Sequence, residues 1–206
     1  MSAFLRVLPL SIVMIAGPQV LSSIFFATSA SWRRNSAAYV AGAAIGIAIV
    51  GSLAFLLAGG ASDAGASDKA IYVAILALLL FAMLHTFRKR KIAEPPKWMG
   101  KLQTATARFA FVLGLLLLGV FPSDLVTSVS VGSYISAHDE PLWHLVGFLG
   151  LTLLLLGLPA LLVLILGKRA ETTLPKVRDW MNANSWIVNE LVLTLFVVLV
   201  ISDIAG

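Results

Sequence analysis

Six apolar runs, each about as long as a membrane is thick, constrain this chain more than any other feature. Crossing roughly 30 Å of hydrocarbon takes about 20 residues of helix. The runs lie near Ala3–Ala27, Ala37–Leu57, Ala70–His85, Thr106–Val131, Leu142–Leu166 and Ser185–Ile204. Inside a bilayer every backbone polar group must find its partner within the protein, so such runs are helices. The composition agrees. Of 206 residues, 59% are hydrophobic and 12% charged, where water-soluble domains are about one quarter charged. The first run lacks a basic leader and is too long for the apolar core of a signal peptide, so it reads as a span. The expectation is an all-α integral membrane protein with six transmembrane helices, multi-pass in the inner (plasma) membrane.

Loop charge sets the orientation. Arg33 and Arg34 follow the first run. Arg88, Lys89, Arg90, Lys91, Lys97 and Lys101 follow the third, and Lys168, Arg169, Lys176 and Arg178 follow the fifth. With six spans these loops share one side. The opposite loops hold Asp63, Asp68 and Lys69, then His138, Asp139 and Glu140. Lys and Arg stay in the cytoplasm, so the N- and C-termini are expected to be extracytoplasmic. Trp32, Trp98, Trp143, Trp180 and Trp186 fall near span ends, as interfacial anchors do. The net charge of +5 therefore reads as membrane orientation and not as a nucleic-acid surface. Membrane lipids are the expected surroundings, and assembly of several copies is compatible with the sequence.

Three spans per half is an odd number, so a duplicated half would be inverted in the membrane. Two matches support a repeat. Pro18-Gln19-Val20-Leu21 resembles Pro122-Ser123-Asp124-Leu125, and Tyr39-Val40-Ala41-Gly42 resembles His144-Leu145-Val146-Gly147. The organisation expected is a first three-helix repeat over 1–87, a basic cytoplasmic loop over 88–105 and a second repeat over 106–206. Inverted repeats with helices interrupted at corresponding positions are typical of secondary transporters.

The matched prolines mark the candidate site. Proline inside a helix removes a backbone donor and clashes with the preceding turn. Carbonyls freed at membrane depth need protein partners or a wet cavity. Each break also exposes a half-helix N-terminus, which favours an anion. Pro18, Gln19, Ser22 and Ser23 in the first span, with Pro122, Ser123, Thr127 and Ser128 in the fourth, are the expected substrate-binding residues. Asp124 is the sharpest single residue. An ionised carboxylate at that depth costs about 2.5–3.5 kcal/mol on insertion scales. Its expected role is proton or ion coupling, against the plainer role of a structural hydrogen bond. Glu190, one turn inside the sixth span, is the second coupling candidate, or an ion-pair partner for Arg108. Arg6 and Asp203 match in depth near the outer face, and His85 ends the third span.

Other chemistry has little footing. The chain has no cysteine, so disulfides, thiolate metal sites and cysteine nucleophiles are excluded. His85, His138 and His144 lack metal-ligand spacing. No His-Glu-x-x-His or Gly-x-Ser-x-Gly motif appears. No cofactor and no enzyme activity are expected. Gly42 and Gly46 in the second span, and Gly147, Gly150 and Gly157 in the fifth, read as close-packing positions.

The chain resembles the GAP, or Sap (sulfolipid-addressing protein), family of the LysE transporter superfamily. The resemblance rests on Ile15-Ala16-Gly17-Pro18-Gln19 and on the glycine-spaced second span after Arg33-Arg34. It also rests on Pro95-Pro96-Lys97-Trp98-Met99 and on Phe121-Pro122-Ser123-Asp124-Leu125. It implies a three-plus-three helix arrangement and an exporter role, in some members the movement of glycolipids to the cell envelope. The leading expectation is a secondary transporter for a lipid or glycolipid with an anionic headgroup, with Asp124 exchanging a proton. The alternatives are export of a small amino acid or cation, and a non-transporting assembly subunit of a lipid-export machine.

Overall fold

The structure is a computed structural model and describes residues 8–59, 80, 81, 84, 87, 88, 102 and 104–205. Eight helices are placed along these residues: α1 (Leu10–Ile15), α2 (Pro18–Ala27), α3 (Trp32–Gly59), α4 (Ala107–Gly119), α5 (Pro122–Ala137), α6 (His144–Leu166), α7 (Lys168–Ala183) and α8 (Ser185–Ala205). No strand occurs among the described residues. The expected third span over Ala70–His85 and the basic loop over 88–105 lie almost wholly outside the described residues, as do Arg6 and His85.

Among the described residues, two helices are long and apolar enough to cross a membrane: α3, over Trp32–Leu57, and α6. The pair α4 and α5 makes a third candidate span, bent by 61°. The expected first span is also divided, into the six residues of α1 and the ten of α2. The chain thus runs twice through the same order of broken helix, turn and long helix.

Local chemistry explains both breaks. Gly17 separates α1 from α2 with φ 95° and ψ −135°, a region essentially closed to residues with a Cβ. Pro18 then opens α2, where its fixed φ suits the first helical turn and its missing N–H is no loss. At the second break Phe121 is extended, with φ −61° and ψ 133°. The residue before a proline is pushed out of the helical region by the ring. Pro122 opens α5 as Pro18 opens α2.

The chain divides into two compact units. One comprises Met1–Ser62 with Pro96–Arg178, the other Asp63–Pro95 with Asp179–Gly206. In the first, α3 is the central helix and packs on α4, α5, α6 and α2. Tyr39, Ala43 and Ile47 are buried at four-residue spacing along it. Ile45, Ile49, Leu53 and Leu56 are exposed on another face, which suits contact with lipid tails.

Glycines set how closely these helices approach. A methyl group added to Gly42 would lie 2.0 Å from the Phe111 carbonyl oxygen, and one on Gly114 would lie 2.2 Å from that of Tyr39. One on Gly132 of α5 would lie 2.2 Å from the Gly51 carbonyl oxygen. These are backbone-to-backbone contacts, which only small residues permit. Gly42 and Gly46 thus pack as their spacing predicts. Gly150 does not: a methyl there would meet nothing within 4 Å. Close packing therefore does not account for that glycine.

Segment 167–184, expected as a basic loop, is mostly helical. Gly167 turns the chain with φ 53°, and α7 follows at once. Ala170 and Leu174 are buried, while Lys168, Arg169, Lys176 and Trp180 are exposed. Its narrow apolar edge is thus covered by the protein, and its basic residues face outward.

A buried polar seam between two broken helices

The two breaks meet within the first unit. Asp124 stands in the first turn of α5, where a carboxylate is favoured by the helix N-terminus. It is 1% exposed. The Gln19 Nε2 amide, in the first turn of α2, donates a hydrogen bond to Asp124 Oδ2. Gln19 is itself 1% exposed, and its Oε1 has no partner. A buried polar atom without a partner costs about 1–3 kcal/mol, so this acceptor is a place for a donor to arrive.

α3 holds the pair from behind. The Tyr39 hydroxyl donates to the Gln19 carbonyl oxygen at 2.9 Å. Its ring packs at 51° on Phe26, with centroids 5.1 Å apart. Both rings are fully buried. α6 holds α2 from another side, through the Ser23 hydroxyl donating to the Leu156 carbonyl oxygen. Ser128 of α5 approaches Met14 of α1 at 3.9 Å, hydroxyl to sulfur. At one end of α2, Asn35 donates to Ser29 Oγ and to the Ala105 carbonyl oxygen, each at 3.0 Å.

The eight residues singled out beside Asp124 separate in this frame. Gln19 is on the carboxylate. Ser22 and Thr127 are buried nearby, but each hydroxyl donates back to its own break: Ser22 to the Pro18 carbonyl oxygen at 2.6 Å, Thr127 to that of Ser123 at 2.8 Å. Each is a back-bond to the carbonyl four residues earlier in its own helix. Ser23 ties α2 to α6. Ser128 faces Met14. Pro18 is half-buried, while Pro122 and Ser123 are exposed. Glu190 belongs to the second unit, in α8, where its Oε1 is buried without a partner. Tyr39 and Asn35 were missed as site residues. The available signal was a polar group at a buried helical position, visible only once α3 has a direction.

The described residues contain no group of three or more His, Cys, Asp or Glu that could hold a metal ion. What the seam offers is one carboxyl, one amide with a spare acceptor and a phenol, between two helix N-termini in an apolar surround. Such a centre can take up and release a proton, or hold a small polar group.

An all-helical membrane protein built on two proline-broken helices is the class that the fold and seam define. Within it, the chain belongs to the Sap, sulfolipid-1-addressing protein, family, whose profile matches residues 7–203. Comparison with curated proteins and with solved structures gives no match.

Proposed function

We propose that this protein is a secondary transporter that moves a lipid or glycolipid with an anionic headgroup across the bilayer, coupled to a proton on Asp124. Six spans in two inverted halves, with both termini outside the cytoplasm, form its architecture. The observation that carries the reading is Asp124 itself: a carboxyl buried at the start of one broken helix and held by the amide of the other. The family description, which names a sulfolipid-addressing protein, supports lipid as cargo.

The residues allow a defined exchange. With Asp124 ionised, the Gln19 Nε2 amide donates to it. When Asp124 takes a proton, the new O–H is a donor and needs an acceptor. Gln19 Oε1 is unpartnered, and rotation of the amide group presents it. One side chain thus satisfies both protonation states. Each state prefers a different orientation of the amide, and Tyr39 holds the Gln19 backbone while the amide turns. The paired half-helix N-termini favour an anionic group beside the breaks.

The test is transport by the purified chain in liposomes under a proton gradient, with a fluorescent anionic lipid as cargo. Asp124→Asn should fold and lose gradient-driven transport, because the amide cannot release a proton. Transport by this variant at the wild-type rate refutes the coupling role.

A further inference from the structure

A second feature lies along the α3–α6 pair. The two antiparallel helices touch at Gly51 and Leu145, where an added methyl would be 3.0 Å from a Leu145 methyl. Toward Trp32 they leave an open groove of about 630 Å³, within the 300–1,000 Å³ typical of small-molecule sites. Val40 and Ala37 form one wall, and Leu153, Leu161 and Leu164 the other. Its floor includes Gly150 and Gly157. A methyl on Gly157 would only graze Val40, at 4.0 Å, and one on Gly150 would enter empty space. These glycines keep the groove open.

The mouth is polar on one side only. Arg33 and Ser36 line it with Trp32, and the Arg33 guanidinium stacks 5.2 Å over the Trp32 ring. Ser36 is 5% exposed and its hydroxyl has no hydrogen-bond partner. A helical serine ordinarily bonds back to its own helix, as Ser22 and Thr127 do here. Arg33 and Ser36 are three residues apart, hence on one face of α3. Ser36 stands about 4.5 Å deeper along the axis.

We propose that this groove binds one acyl chain of an anionic glycerophospholipid. The headgroup phosphate sits on Arg33, and a glycerol ester carbonyl accepts the Ser36 hydroxyl. The chemistry fits in order of depth. A glycerophospholipid presents its phosphate outermost, its ester carbonyls a layer deeper and its chain beyond. The groove presents a guanidinium, then an unpartnered buried donor, then an apolar channel. From Leu164 to Gly150 the α6 wall runs about 21 Å, longer than one leaflet's share of the roughly 30 Å core. The positive mouth selects an anionic headgroup. This site goes beyond the transport reading. Its lining shares no residue with the Gln19–Asp124 seam, and its test requires no transport.

Trp32 lies in the groove and reports on it. The full chain, with Trp98, Trp143, Trp180 and Trp186 replaced by Phe, is reconstituted in vesicles containing chain-brominated phosphatidylglycerol or chain-brominated phosphatidylcholine. Bromine on a chain in the groove quenches Trp32. The expected result is a preference for the anionic lipid of about fivefold, the scale of one basic side chain at an anionic surface. Arg33→Gln should bring phosphatidylglycerol down to the phosphatidylcholine level. Gly157→Leu and, independently, Gly150→Leu should fill the channel and lower quenching by both lipids. Two groove-filling variants guard against failure of either one to fold. Equal wild-type quenching by the two lipids, or a preference that survives both leucine variants, overturns the proposal.

Discussion

At the scale of single residues, the balance of charge and hydrogen bonds around Asp124 governs what substitutions do. Gln19→Leu removes the amide donor and leaves the carboxylate buried beside an apolar side chain. A buried polar group stripped of its partner costs about 1–3 kcal/mol, more when charged. The variant should therefore unfold at a lower temperature in detergent. Pairing it with Asp124→Leu should recover part of the loss, since removing both partners is cheaper than removing one. A double variant no more stable than Gln19→Leu would show that the pair does not act as a unit. Tyr39→Phe deletes one hydrogen bond to the Gln19 carbonyl oxygen and should cost about 0.5–1.5 kcal/mol in the same melt.

At the scale of elements, the two classes of glycine should respond in opposite directions. Gly42→Ala and Gly114→Ala place a methyl within 2.2 Å of a facing backbone oxygen, so α3 and α4 must part. Overpacking of this kind costs about 1–3 kcal/mol or more. Gly150→Ala adds a methyl in open space, and exchanging Gly for Ala inside a helix gains roughly 0.5–1 kcal/mol. Thermal melts of the three variants rank them, and equal destabilisation of all three would contradict the packing described above. These elements also show how far the sequence could be read. The helical runs followed from hydropathy, and both breaks followed from Pro18 and Pro122, because proline acts on its own backbone wherever it stands. The meeting of Gln19 with Asp124 was foreshadowed by the matched motifs. Other features depend on neighbours far away in sequence. Whether a glycine packs or opens a groove depends on what faces it, so Gly42 and Gly150 look alike in a sequence. The helical form of α7 was hidden by its polarity and by Pro175, which reads as a breaker. Its apolar edge of Ala170 and Leu174 is too narrow to stand out between charges.

At the scale of the whole molecule, topology is directly testable because the chain has no cysteine. Single cysteines at Ser31 and Thr173 should react with impermeant maleimide only from the cytoplasmic side. One at Ser136 should react from outside. Labelling of all three from the same side would refute the inverted arrangement. The glycine contacts between α3 and α4 carry a mechanical consequence. One helix precedes the basic loop and the other follows it, so this joint runs between the two halves of the sequence. Backbones fitted carbonyl against glycine cannot shear past each other without first separating, and the joint behaves as a weld. If the chain transports as proposed, the motion that alternates access falls to the parts that are not welded. α5 is fixed to α3 in the same way through Gly132, so the short arms α1 and α2, which no such glycine contact among the described residues ties to α3, are left to swing on Gly17 as a hinge, like a flap mounted on a fixed frame.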